Sequence, residues 1–351
     1  MKAPSLASAI LLSALALSAA SEAQQELLYV GNNRAGTISV ISVPAYEVLG
    51  EFDAVPDYDN PVRGSTSLAD DLVATPEGRL LYVSRPQSRD IAVFDTATEK
   101  LLWTIPVNGK PDHFTMSPDG RHLFLSINSE RFASVIDTET RRVTATFPTG
   151  PLPHGMRMTP DGRYVLNGAM GSDRITVADA TTFEVVRNIE LHEGVRPFTM
   201  TRDGRKLFAQ LTRFHGFVEI DFETGRLTKS IHLPVAEGVT AQKSYPHTAH
   251  HGIELALDDQ YLCIAGTVSH YVALVSYPSL DLVATIPVGE EPSWVITSLD
   301  GKTCYVSSRI SDTVSIISVE DGSEVKRLEV GDYPQRMWTV RVPERRLARK
   351  D

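Results

Sequence analysis

The sequence predicts an all-β chain folded as a single seven-bladed β-propeller, its ring closed by pairing the C-terminal strand with the N-terminal three strands. Three observations predict it: a strand phrase that recurs seven times, an Asp-Gly turn ahead of several copies, and an offset between the chain ends that ring closure resolves. The phrase is seen in Arg79-Leu80-Leu81-Tyr82-Val83 and again in Arg121-His122-Leu123-Phe124-Leu125. It returns at Arg163-Tyr164-Val165-Leu166 and Arg205-Lys206-Leu207-Phe208, each step being 42 residues. Gln260 follows after 55 residues and Lys302 after a further 42, while the first copy, Glu26 to Val30, precedes the second by 53. Units of about 42 residues made of short strands are the size of propeller blades.

Ahead of the first copy stand Lys2, an apolar run from Leu6 to Ala20, and Ser21-Glu22-Ala23. A basic start, an apolar middle and a small-x-small end read as a signal peptide over residues 1–23, cleaved after Ala23. The run is short for a membrane span, which takes about 20 residues, and no later segment approaches that length. A secreted or periplasmic protein without a membrane span after processing is expected. The propeller is assigned to residues 24–342 and a short basic tail to 343–351.

Each unit reads as four strands. In the second, Leu80 to Ser84 is followed by Ile91 to Phe94, the turn Asp95-Thr96-Ala97-Thr98, and a strand ending at Ile105-Pro106-Val107. The turns Pro118-Asp119-Gly120 and Pro160-Asp161-Gly162 supply hairpin chemistry, because glycine takes positive φ without strain. The innermost strand opens the next unit, as at His113 to Met116. Its last copy lies at Tyr333 to Val340, whereas the other strands first appear at Leu27 to Phe52. Pairing the two ends covers an otherwise open sheet edge.

A formal charge of −10 and 7% aromatic residues argue against a nucleic-acid partner. A monomer acting on or binding a small molecule is expected. The two cysteines, Cys263 and Cys304, fall on strands of neighbouring units, and two buried thiols are expected rather than a disulfide.

The blocks Leu28-Tyr29-Val30-Gly31-Asn32, Leu81-Tyr82-Val83-Ser84 and Cys304-Tyr305-Val306-Ser307 resemble the YVTN-repeat β-propeller family. So do Ser117-Pro118-Asp119-Gly120 and the phrases Thr104 to Val107 and Thr285 to Gly289. The resemblance covers nearly all of the mature chain and implies the propeller fold. For function it implies a range: lactone hydrolysis, streptogramin-type lyase chemistry, copper or haem cofactor domains, or plain binding scaffolds. Pro153-His154-Gly155-Met156 and His250-His251-Gly252-Ile253 look like a phrase frequent in lyase-like propellers. The acidic and amide metal ligands of seven-bladed lactonases cannot be matched here one by one, and no Cys-x-x-Cys-His haem motif is present.

The repeat register reads out the channel ring. One column of equivalent positions is Asp70, Asp112, His154, Arg196, His251, Ser293 and Gln335. The next is Asp71, His113, Gly155, Pro197, Gly252, Trp294 and Arg336, and strand alternation predicts that the two cannot point inward equally. The first column is entirely polar, so it faces water or a ligand. Two insertions, near Val55 to Ser65 and Ala236 to His250, are expected over the same channel mouth.

Within this ring, His154, His251, Asp70 and Asp112 are the candidate catalytic residues. Arg196 and Arg336 are candidates to hold a carboxylate or a developing oxyanion. His113, His215, His270, His247, Tyr245 and Trp294 are candidate substrate contacts. A divalent transition metal (Zn, Cu or Fe) is a further option, with His154, His251, His250 and His113 as ligands. The functional expectation is a small-molecule enzyme of hydrolase, lyase or isomerase type. A non-catalytic scaffold and an extracytoplasmic accessory of redox or metal metabolism stand as alternatives.

Overall fold

The computed structural model describes residues 24–59, 61–64, 67–239 and 248–343. The expected signal peptide over residues 1–23, the tail beyond Pro343, Tyr245 and His247 lie outside the described residues. The described residues form 28 strands in seven four-stranded antiparallel sheets. No helix among them is long and apolar enough to cross a membrane.

Ring closure follows the expected pairing. Strand β28 (Pro334–Pro343) pairs with β1 (Gln24–Asn32), which continues to β2 (Thr37–Val43) and β3 (Val48–Asp53). The remaining blades run in sequence order from an inner to an outer strand. Their inner strands are β4 (Leu72–Ala74), β8 (Pro111–Met116), β12 (Pro153–Met158), β16 (Val195–Met200), β20 (Ile253–Ala256) and β24 (Pro292–Thr297).

Burial grades outward in each blade. Strand β5 (Leu80–Arg85) is buried almost throughout, while the outer β7 (Leu101–Pro106) keeps several residues in contact with solvent. The apolar cores sit between blades rather than inside one: Leu27, Tyr29 and Ile38 pack against Leu72, Leu81 and Phe94 of the next blade. Each blade therefore buries both faces, the reason its middle strands read as continuous apolar runs.

The cysteines depart from expectation. Cys263 on β21 (Tyr261–Gly266) and Cys304 on β25 (Thr303–Ser308) form a disulfide, with Cα atoms 6.6 Å apart. They are 41 residues apart, one short of the 42-residue step between their blades. Equivalent positions would point the same way around the ring. A one-residue slip reverses the side-chain face, so the two sulfurs meet across the blade interface.

Candidate active site at the channel mouth

Inner strands carry the ring residues on a repeated irregularity. In β8, Pro111 pairs with Ile127 and Phe114 with Leu125, leaving Asp112 and His113 out of the ladder. The same break falls at His154 and Gly155 in β12 and at Arg196 and Pro197 in β16. A bulge of this kind re-aims successive side chains. Both columns therefore reach the channel, at different depths, which simple alternation does not anticipate. The first column lines a cavity of about 520 Å³ with Asp70, Asp112, His154, Arg196, His251 and Gln335. The second lines a separate cavity of about 110 Å³, with Asp71, His113, Gly155, Pro197, Trp294 and Arg336.

Glycine after each of two ring histidines allows the inner strands to approach. A Cβ on Gly155 would lie 2.8 Å from the Phe198 ring, and one on Gly252 would lie 2.5 Å from the backbone nitrogen of Val295. Hydroxyls of the second strands hold the bulged backbone. Ser126 Oγ donates to the His154 carbonyl at 2.7 Å, and Ser307 Oγ to that of Gln335 at 2.8 Å.

The side chains form one connected network. Asp112 Oδ2 accepts from His154 Nδ1 at 2.9 Å and from Asn128 Nδ2 at 2.8 Å. Asp70 Oδ1 accepts from Gln335 Nε2 at 2.8 Å and Asn33 Nδ2 at 3.1 Å. Burial, then the negative charge of Asp112, pushes the Asp70 carboxyl well above the usual range. Burial raises the Asp112 carboxyl as well, opposed by the charge of Arg336, so Asp70 is the more readily protonated of the two acids and Asp112 the one that faces His154. Burial pushes Asp71 up to about 6, even though it accepts the backbone N–H groups of Phe114 and Leu72.

Burial also holds the imidazoles of His113, His154 and His251 neutral, helped by the cationic Arg336. Their tautomers follow from their partners. His154 gives its Nδ1 proton to Asp112, and His251 gives its Nδ1 proton to the Ser293 carbonyl at 2.8 Å. Both Nε2 atoms are then bare, and they face each other at 3.3 Å. Arg336 donates to His113 Nδ1 and lies 3.3 Å above the Trp294 ring. The His113 Nε2 proton therefore points toward Asp112 Oδ1, 3.4 Å away. The Asp112, His113 and His154 donors lie within 4.8 Å of one another, a buried group able to hold a metal ion.

Other sequence candidates lie elsewhere. His250 is buried but turns away from the axis, its Nε2 meeting the Tyr271 hydroxyl at 2.9 Å. It is not among the nitrogens that meet at the channel. His215 sits at ring distance 6.5 Å from His250, outside the cavity lining. His270 is exposed, its Nδ1 accepting the Glu291 N–H at 3.0 Å. The start of the first insertion is clamped to the rim, where the buried Arg85 guanidinium holds Asp57 and Asp90.

A third column escaped the sequence reading. Asn33, Pro86, Asn128, Met170 and Arg309 follow the second strands of their blades and line the upper cavity. They are spaced by the same repeat offsets as the strand phrase, so the register would have found them had it been carried past the strand end. Arg196 is backed by Met170 and by Thr212 Oγ1 at 3.3 Å.

Residues 19–147 match a family described as lactonase, seven-bladed β-propeller. No curated protein matches in sequence. Among solved structures the chain is similar to a Bacteroides fragilis protein described as a candidate 6-phosphogluconolactonase, at TM-score 0.69 and 20% identity over 90% of this chain and 98% of that one. It is also similar to Kuenenia stuttgartiensis hydrazine synthase, at TM-score 0.51 and 22% identity over 74% of this chain and 99% of that chain. The chain is a seven-bladed β-propeller, and its residues 19–147 are similar to that lactonase family.

Proposed function

We propose that this protein is an extracytoplasmic hydrolase that opens small lactones or esters at the channel mouth. One observation carries the reading: two buried imidazoles bring their Nε2 atoms within 3.3 Å of each other in a cavity also lined by Arg196 and Arg309. The lactonase-type match over residues 19–147 and the likeness to the Bacteroides fragilis protein support hydrolysis. The leader and the disulfide support an oxidising compartment.

A water above the His154–His251 pair meets two acceptors and no donor, so it presents its oxygen lone pairs to the cavity. His154 Nε2 accepts the water proton as attack begins, and Asp112 stabilises the imidazolium that forms. Arg196 supplies donors for the oxyanion of the tetrahedral intermediate. Asp70, which holds a proton in the resting site, returns one to the departing alkoxide.

The test is a pH-stat assay of the mature protein on a panel of γ- and δ-lactones and aryl esters. Turnover is expected, and His154→Ala should lose at least about 100-fold in kcat/KM while its circular dichroism is kept. Saturable binding of panel members without turnover would make the chain a binding module instead.

A further inference from the structure

The geometry points to a zinc-type metal site at the His154–His251 pair, with one divalent ion held by the two Nε2 atoms. This deepens the hydrolase reading and rests on it only for what the ion would do.

Three features of the pair argue for a cation. The first is the backing of the rings. Asp112 engages Nδ1 of His154 and the Ser293 carbonyl engages Nδ1 of His251, so each ring turns its Nε2 toward the other. Two buried ring nitrogens 3.3 Å apart are placed to share a cation between them.

The second feature is distance. A tetrahedral ion with metal–nitrogen bonds of about 2.0–2.1 Å sets two imidazole nitrogens about 3.3–3.4 Å apart. Ligands at a right angle, as in octahedral or square-planar sites, would stand about 2.8–3.0 Å apart at the same bond length. The observed 3.3 Å agrees with the tetrahedral case.

The third feature is the outer shell. Histidine ligands of metals hand their second ring proton to a carboxylate or a backbone carbonyl, and this pair has one of each. His113, which completes the other buried donor group with Asp112 and His154, is left out of this pair because Arg336 donates to its Nδ1. His250 is excluded because it faces Tyr271. Two positions of the tetrahedron are then open to the cavity for water and substrate. An ion held there would supply the activation of the attacking water, and His154 would then serve as its ligand in place of the base role.

The experiment is elemental analysis of the untagged mature protein, followed by dialysis against micromolar Zn(II) or Co(II). About one equivalent per chain is expected, and the Co(II) form should show the intense visible bands of a tetrahedral site. His154→Ala and His251→Ala should each abolish the bands, Asp112→Asn should weaken metal affinity about 10–100-fold, and His250→Gln should keep one equivalent. Circular dichroism melts establish that each variant is folded. No binding by the wild type, or tetrahedral bands that persist in both His→Ala variants, would overturn the site. Ester hydrolysis by a chelated protein that takes up neither Zn(II) nor Co(II) would sink the metal and leave the hydrolase. A tetrahedral Co(II) spectrum with no turnover on the panel would do the reverse.

Discussion

His154 Nε2 and His251 Nε2, both on buried rings, face each other at 3.3 Å. Blades far apart in sequence supply the two rings, since the residues are 97 positions apart. Their orientation is set from behind, by Asp112 on one side and the Ser293 carbonyl on the other. The chemistry of the site depends on those two supports as much as on the rings.

Asp112→Asn tests the first support. An amide can donate to His154 Nδ1, which would move the ring proton to Nε2 and remove the acceptor from the cavity. Hydrolysis is expected to fall at least about 100-fold with the melting temperature nearly unchanged. Steady-state kinetics beside a thermal melt decide it, and a parallel fall in both would mark a structural role instead.

Arg196→Met removes the proposed oxyanion donor while keeping much of the buried volume. Loss of one such donor costs about 100- to 1,000-fold in kcat. The expected signature is a fall in kcat larger than any rise in KM. A change confined to KM would assign Arg196 to ground-state binding.

Asp71 predicts a pH effect on stability. Its carboxyl is pushed up to about 6 in the fold against an ordinary 3.8, so between these values the unfolded chain has released a proton that the fold retains. Stability then declines as pH rises through that window, by up to about 3 kcal/mol, and is lowest above it. Asp71→Asn should gain on the wild type by up to about that amount between about pH 4 and pH 7. Urea unfolding at a series of pH values measures the difference, and a constant offset would refute the assignment.

Removing the Cys263–Cys304 bridge should act on stability alone. The bridge closes a 41-residue separation, for which chain entropy gives about 4 kcal/mol. Neither cysteine lines the upper cavity. The Cys263→Ser/Cys304→Ser protein should therefore unfold at lower denaturant with kcat/KM at the wild-type level. Loss of activity in the folded variant would place the bridge in the function of the site.

The sequence by itself determined the blade count, the closure of the ring and the roster of residues around the axis. In a propeller each step along the chain is a step around the ring, so equivalent positions in the repeat become neighbours on the axis. Asp70, Asp112, His154, Arg196, His251 and Gln335 were legible for that reason, and Asn33, Asn128 and Arg309 obey the same rule. Depth and direction were decided by the tertiary structure. The bulges at Asp112-His113 and His154-Gly155 depend on which backbone groups pair, a matter of packing between strands rather than of residue type. They split the two columns between two cavities, and in the sixth blade His251 faces the channel while His250 meets Tyr271. Partnership too was decided there. The proton arrangement that leaves two bare nitrogens together needs Asp112, Ser293 and both histidines in place at once, and four residues from four blades meet only when the ring is closed.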